Sequence, residues 1–301
     1  MDLTIIIVNY NVKNLLYQAL KSIPRGISHI SYEVQVVDNH STDGSQEMVL
    51  RDFPEVDLIQ NKENVGYAKA NNQAIRKAKG KYILLLNPDT VILPGAIDKL
   101  MDYLSKHKQV GAIGPKIEMA DGNLDKACKR GFPTPLNSLF KTVGLDKLFP
   151  NSRLFGSYNL TYLNNDMEHL IDCLVGACML VRREVIEKVG MLDEQFFMYG
   201  EDIDWCYRIK DAGWYIVYYP EAKIIHYKRA SSSKRKLKTT YEFHRAMVLY
   251  FKKHYSERYN VLIMWLVYLG IGASYLVSLL KLLVLGFKGG GPSDTGVSED
   301  T

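Results

Sequence analysis

The chain has 301 residues, 47% of them hydrophobic, enough to bury a substantial core in one large domain or two small ones. Its formal net charge of +5 lacks the dense basic bias of a nucleic-acid-binding protein, so no nucleic-acid partner is expected. The four cysteines (Cys128, Cys173, Cys178 and Cys206) form no CxxC pair and no zinc-spaced cluster, and read as reduced, buried thiols.

Residues 3–8 form a β-branched apolar run too short for most helices, which predicts a buried parallel strand. A helical pattern follows over 12–22. A second strand over 33–37 ends at Asp38, ahead of a polar turn at 39–44. A short helix reaching residue 53, a strand over 56–60 and a helix over 67–79 come next, with Gly80 expected as the helix-ending glycine. Residues 81–86 read as a strand closed by Asn87-Pro88-Asp89.

Strands alternating with helices predict an α/β fold, a doubly wound and mostly parallel sheet. Such sheets bind ligands beyond the carboxyl ends of their strands, and Asn9, Asp38, Asn61 and Asp89 all fall there. The second half is less regular. Residues 110–119 read as two short strands broken at Gly114-Pro115, and 121–169 as a long functional excursion. An apolar run over 174–181, helices over 183–189 and 201–212, and a strand over 215–219 complete the catalytic part.

The N-terminus has no signal-peptide pattern, which places the catalytic part in the cytoplasm. Residues 261–280 carry no charge over a length that suits a bilayer crossing. Arg245, Lys252, Lys253 and Arg258 upstream, on an expected helix, form a positive flank that keeps the preceding side cytoplasmic. A spanning helix, an interfacial element and a homodimerisation helix remain three alternatives for this segment. The expected organisation is a catalytic domain over 1–238, membrane-associating helices over 239–288 and a disordered tail over 289–301, at the cytoplasmic face of the cell membrane.

Five motifs occur in order: Val8-Asn9-Tyr10-Asn11, Val37-Asp38-Asn39-His40-Ser41-Thr42-Asp43-Gly44, Asn64-Val65-Gly66, Leu86-Asn87-Pro88-Asp89 and Gly200-Glu201-Asp202. Together they resemble a family 2 glycosyltransferase of GT-A fold, in its bacterial rhamnosyltransferase branch. The resemblance implies that Asp38 accepts N3–H of a uracil or thymine base, flanked by Asn9 and Tyr10. An Asp at this place is also a natural turn cap, although Asp43 suits that role better. Asn64 and Gly66 open a helix whose N-terminus suits the donor's phosphates.

The resemblance further implies that Asp89 binds a divalent ion on the donor diphosphate, with Asn87 where the family carries a first carboxylate. His226 is then a second metal ligand, and Lys228 and Arg229 pair with phosphate oxygens. Oxygen ligands suit Mg²⁺ or Mn²⁺. Asp202 is implied as the base that deprotonates the acceptor hydroxyl, with Glu201, Gly176 and Ala177 lining the acceptor pocket. Processive members carry a Gln-x-x-Arg-Trp run after the Glu-Asp pair, and none follows here, so single-sugar addition is expected.

The expected function is inverting, metal-dependent transfer of a sugar, rhamnose from dTDP-rhamnose or another dTDP- or UDP-sugar, to a lipid-linked saccharide of a surface polysaccharide. A non-catalytic sugar-nucleotide-binding or membrane scaffold protein is the alternative, favoured only by Asn87.

Overall fold

The computed structural model describes residues 1–227 and 236–288. They fall into two compact units, Met1–Ser233 and Lys234–Thr301.

The first unit opens with strand β1 (Leu3–Asn9), helix α1 (Lys13–Gly26), β2 (Tyr32–Asp38), α2 (Ser45–Asp52), β3 (Asp57–Gln60), α3 (Tyr67–Lys77) and β4 (Tyr82–Leu86). Every residue of β1 is buried. Successive strand side chains point to opposite faces, so the sheet is covered on both sides at this strand. β3, β2, β1 and β4 run parallel, as the alternating pattern predicts.

Gly80 does not end α3, which stops at Lys77 with Ala78 in an extended conformation. It lies instead where the chain crosses β1: an added Cβ would sit 2.4 Å from the Thr4 amide nitrogen and 2.5 Å from the Leu3 carbonyl carbon. Close backbone approach, and not a left-handed φ, is the reason for glycine here.

Beyond β4 the chain continues with β5 (Thr90–Ile92), α4 (Ala96–Lys106), β6 (Val110–Met119), α5 (Pro135–Thr142), α6 (Leu145–Leu148), β7 (His169–Ile171), β8 (Cys178–Arg182), α7 (Arg183–Val189), α8 (Glu201–Asp211) and β9 (Tyr215–His226). The strand order is β3-β2-β1-β4-β8-β6-β9-β5, with β7 also on β9. β8 enters antiparallel to both β4 and β6, while β6 and β9 are parallel, so this half of the sheet is mixed.

Residues 110–119 form one strand and not two. Gly114 and Pro115 are accommodated by a register break, in which Pro115 faces Tyr219 and Lys116 faces Lys223. β9 likewise runs on through Pro220 to His226 and does not stop at Tyr219. Its far edge is shared lengthwise by β7, facing Ile216–Tyr218, and β5, facing Ile224–His226. All four cysteines are buried and free.

The second unit consists of α9 (Lys236–Tyr255) and α10 (Val261–Lys288). Arg258 lies in the turn after α9, outside the expected helix. Within α10, Val261–Val284 is long and apolar enough to cross a membrane, and it is mostly exposed. Residues 289–301 lie outside the described residues.

Candidate active site

The motifs gather at the carboxyl ends of the parallel strands. Asn9 and Asp38 end β1 and β2 as register partners, both fully buried. Asn9 Nδ2 donates to Asp38 Oδ2 at 2.7 Å. Asp38 Oδ1 accepts from Gln46 Nε2 at 2.6 Å and from the Ser41 amide at 2.8 Å. Asp38 therefore does cap the turn after β2, while Asp43 holds the Lys13 and Ser45 amides at the starts of α1 and α2. A carboxylate offers about four lone-pair positions, so one on Oδ2 stays open. Asn9 Oδ1 is buried without a hydrogen-bond partner among the described residues. The site thus presents unused acceptor capacity at both strand ends. Tyr10, half-buried, follows directly.

Backbone strain marks the same edge. Asn11, His40 and Tyr199 have positive φ, at 55°, 66° and 70°. Side chains held in this region concentrate at functional sites.

A chain of contacts runs from the strand ends to the proposed base. Asn39, next to Asp38, donates through Nδ2 to the Gly66 carbonyl at 3.1 Å, and Asn61 Nδ2 donates to Asn39 Oδ1 at 2.9 Å. Asn64 Oδ1 accepts the Gly66 amide at 3.0 Å and shapes the entry to α3. The Tyr67 amide donates to the Phe197 carbonyl at 2.7 Å. Gly66, at φ 89°, would carry a Cβ only 2.6 Å from that carbonyl oxygen, so two separate requirements demand glycine.

The Tyr67 hydroxyl donates to the Gly176 carbonyl at 2.9 Å, and the Gly176 amide lies 3.3 Å from Asp202 Oδ2. Burial raises the Tyr67 phenol, and the charges of Glu201, Asp202 and Asp89 add to this. One hydroxyl thus senses three acids from two distant stretches of chain. Ala177, fully buried, accepts the Asn87 amide at 2.9 Å and fixes the loop that carries Asp89.

Asp89 and His226 meet. His226 Nε2 lies 3.1 Å from Asp89 Oδ1, both residues being buried. The antiparallel pairing of β5 with β9 sets Thr90 opposite His226 and so brings the histidine to the neighbouring Asp89. On the other side, His226 Nδ1 lies 3.3 Å from Asp125 Oδ2. Burial opposes charge on the imidazole, but the hydrogen bonds it donates to Asp125 and Asp89, and the charges of those acids, carry it up to about 9. Asp125 escaped sequence reasoning, because it sits in an irregular turn with no motif around it.

Asp202 opens α8 behind Gly200, whose φ is 81°. Three acids, Glu201, Asp202 and Asp204, occupy its first turn, where the helix dipole favours negative charge. Arg130 Nη2 pairs with Asp202 Oδ2 at 2.7 Å, with side-chain exposures of only 10% and 12%. The same nitrogen donates to the Leu174 carbonyl. Burial first, and then the charge of Asp202, pushes the Glu201 carboxyl up to about 8. Glu201 Oε2 has no hydrogen-bond partner among the described residues. Of the two neighbouring acids, Asp202 has an ion-pair partner in Arg130, and Glu201 is the one whose charged form burial disfavours. Sequence reasoning missed Arg130 as well, since it stands 72 residues away from its partner. Lys228 and Arg229 lie outside the described residues.

Residues 2–240 match the family model for glycosyltransferase-like family 2. The chain is 29% identical over 243 residues to an N-acetylglucosaminyl-diphospho-decaprenol L-rhamnosyltransferase of Mycobacterium tuberculosis, covering 77% of this chain and 78% of that protein. It is 25% identical over 232 residues to the rhamnosyltransferase WbbL of Escherichia coli, covering 74% and 82%. Among solved structures, the mannosyltransferase PcManGT of Pyrobaculum calidifontis, in complex with GDP-Man and Mn²⁺, matches with a TM-score of 0.58 at 17% identity, over 97% of this chain and 76% of that one. That last likeness concerns the fold. The chain belongs to glycosyltransferase family 2, in its rhamnosyltransferase-like branch.

Proposed function

We propose that this glycosyltransferase moves one sugar, rhamnose from dTDP-rhamnose, onto a lipid-linked saccharide with inversion, by single displacement at the anomeric carbon. The observation that carries the reading is the contact chain from Asp38 through Asn39, Gly66, Tyr67 and Gly176 to Asp202. It fixes the Asp38 and Asp202 carboxylates relative to each other, which supports the reading of one as base reader and the other as proton acceptor.

The imide N–H of thymine or uracil is a donor suited to the open acceptor positions of Asp38 and Asn9. Cytosine has no such N–H. Asp89 and His226 would hold a divalent cation in place of the proton that now lies between His226 Nε2 and Asp89, and the donor set then fits. A hard carboxylate and an imidazole converge, and Asp125 behind the ring orients it as carboxylates commonly do for metal-bound histidines. The protein supplies two ligands, leaving the remaining positions to diphosphate oxygens and water, the usual pattern for Mg²⁺ or Mn²⁺ at phosphate sites. Such an ion offsets charge developing on the leaving diphosphate.

Asp202, ionised beside Arg130, takes the acceptor hydroxyl proton as that oxygen bonds to C1 and the C1–O bond to the diphosphate breaks. Glu201, protonated near neutral pH, adds no second charge at the acceptor side. A Cβ at Gly176 would lie 3.3 Å from the Tyr67 hydroxyl and 3.8 Å from the Asp202 Cβ, so glycine lets this backbone pack close to the acid. The decaprenol-linked acceptor in the name of the mycobacterial relative supports a lipid acceptor, and so does the apolar α10. On this reading residues 1–238 are the catalytic domain, at the cytoplasmic face of the membrane, and residues 239–288 are its membrane-associating helices.

The test is a panel of sugar nucleotides screened by thermal shift with Mn²⁺ and with chelator, because a ligand of the folded state raises stability by mass action. A dTDP-sugar should give the largest metal-dependent shift. Asp202→Asn should keep that shift and lose turnover. A variant that loses both removes Asp202 from the base role, and equal shifts with all nucleotides remove the pyrimidine reading.

A further inference from the structure

The lobe inserted between β6 and β8 is built inside out. Along α5, Leu136, Leu139 and Val143 recur at the spacing of one helical face, and all are exposed. The side chain that α5 buries is a polar one, Asn137, used in the capping box with Thr134. Leu148, Phe149 and Leu154 extend the apolar surface, from 47% exposed at Phe149 to 69% at Leu148. A soluble helix points its apolar stripe inward, and an exposed apolar patch of this kind marks an interaction surface.

Charge identifies what the surface meets. Within the lobe, the stretch 131–163 has Asp146 as its only acid, which is buried, whereas Lys141, Lys147 and Arg153 are exposed among the leucines; the lobe's exposed acids Asp121, Asp166 and Glu168 lie outside that stretch. Leucine and phenylalanine interleaved with cations, and without exposed anions, suit the headgroup boundary of an anionic bilayer. The lobe is also tied to the proposed base. Arg130, at its entrance, holds Asp202, and the ring of Phe132 packs 5.0 Å from that of Tyr207 on α8.

We infer that the face formed by Leu136, Leu139, Val143, Leu148, Phe149 and Leu154 docks on an anionic lipid surface and so presents a membrane-embedded acceptor to Asp202. The acceptor half of this inference rests on the proposed function; the docking half does not.

Cysteines introduced singly by Leu139→Cys and Leu148→Cys in the full chain can be labelled selectively, because the four native thiols are buried. Leu50→Cys is the control: an exposed apolar residue on α2, next to the opposite sheet edge. Each acrylodan-labelled protein is reconstituted into phosphatidylcholine vesicles with and without phosphatidylglycerol, using brominated lipid as membrane quencher and iodide as aqueous quencher. Labels at 139 and 148 should be quenched several-fold more by brominated lipid than the label at 50, be shielded from iodide, and respond more strongly with phosphatidylglycerol present. Labels that match position 50 overturn the inference. So does shielding from iodide that grows with protein concentration without quenching by lipid, which assigns the face to a second copy.

In turnover, the double variant Leu139→Asp with Leu148→Asp should lose about tenfold on a vesicle-embedded acceptor and keep its rate on a short-chain, water-soluble one. Equal loss on both overturns delivery by docking. A native chain inactive on both acceptors defeats the proposed reaction but leaves the labelling result standing.

Discussion

The neighbouring acids Glu201 and Asp202 should behave oppositely when each is made a neutral amide. In the folded chain burial and Asp202 keep the Glu201 carboxyl protonated up to about pH 8, against an ordinary value of 4.5. The unfolded chain ionises it near 4.5. Between those two values folding takes up a proton, so the contribution of Glu201 to stability falls as pH rises and levels off above about 8. At about 1.4 kcal/mol per pH unit the loss amounts to about 3–5 kcal/mol. Glu201→Gln keeps the shape and cannot ionise. Urea denaturation of wild type and variant at intervals from pH 4.5 to 9 should give curves that separate with rising pH, the variant becoming the more stable. Titrating groups that do not interact with Glu201 cancel in that difference. At pH 7 Glu201→Gln should retain most activity, since it replaces one neutral group with another. Asp202→Asn, which removes the proton acceptor, should lose about a thousandfold. A stability difference that ignores pH, or a Glu201→Gln enzyme as inactive as Asp202→Asn, would refute this assignment of charge.

Three further outcomes follow from the geometry. Arg130→Met leaves the Asp202 charge buried and unpaired and should cost about 3–5 kcal/mol in chemical denaturation, with Arg130→Lys recovering part of it. Asp38→Asn puts an amide donor where three donors already converge. It should weaken dTDP-sugar binding by about 10- to 100-fold in calorimetry while the fold persists. Gly80→Ala forces a methyl group against the backbone of β1 and should cost about 1–3 kcal/mol, read as a lowered urea midpoint with no new pH dependence.

The parallel half of the sheet was legible because β1, β2 and β4 are mostly buried on both faces and stand out as apolar runs between polar turns. The strand-end positions of Asn9, Asp38 and Asp89 follow from that pattern alone. β5 and β7 have three residues each, too few to carry a period, and exist because the long edge of β9 is there to pair with. β9 itself looked shorter than it is because Pro220 reads as a stop, yet the register break against β6 absorbs it. Motif resemblance singled out Asp89 and His226, but only the β5–β9 pairing explains why they meet. Arg130 and Asp125 had no local signal at all. Arg130 acts on a partner 72 residues away and Asp125 on one 101 residues away, and only the folded topology makes them neighbours.

The stretch between Arg130 and Cys173 is pinched at its base, since these two residues face each other as an isolated antiparallel bridge. A loop whose two stems touch can be lengthened, shortened or exchanged at little entropic penalty to the body that bears it. A different insertion can therefore be grafted onto those stems while β1 and β2, which carry Asn9 and Asp38, stay untouched. The constraint on any such graft is narrow: it must arrive with an arginine at the first stem.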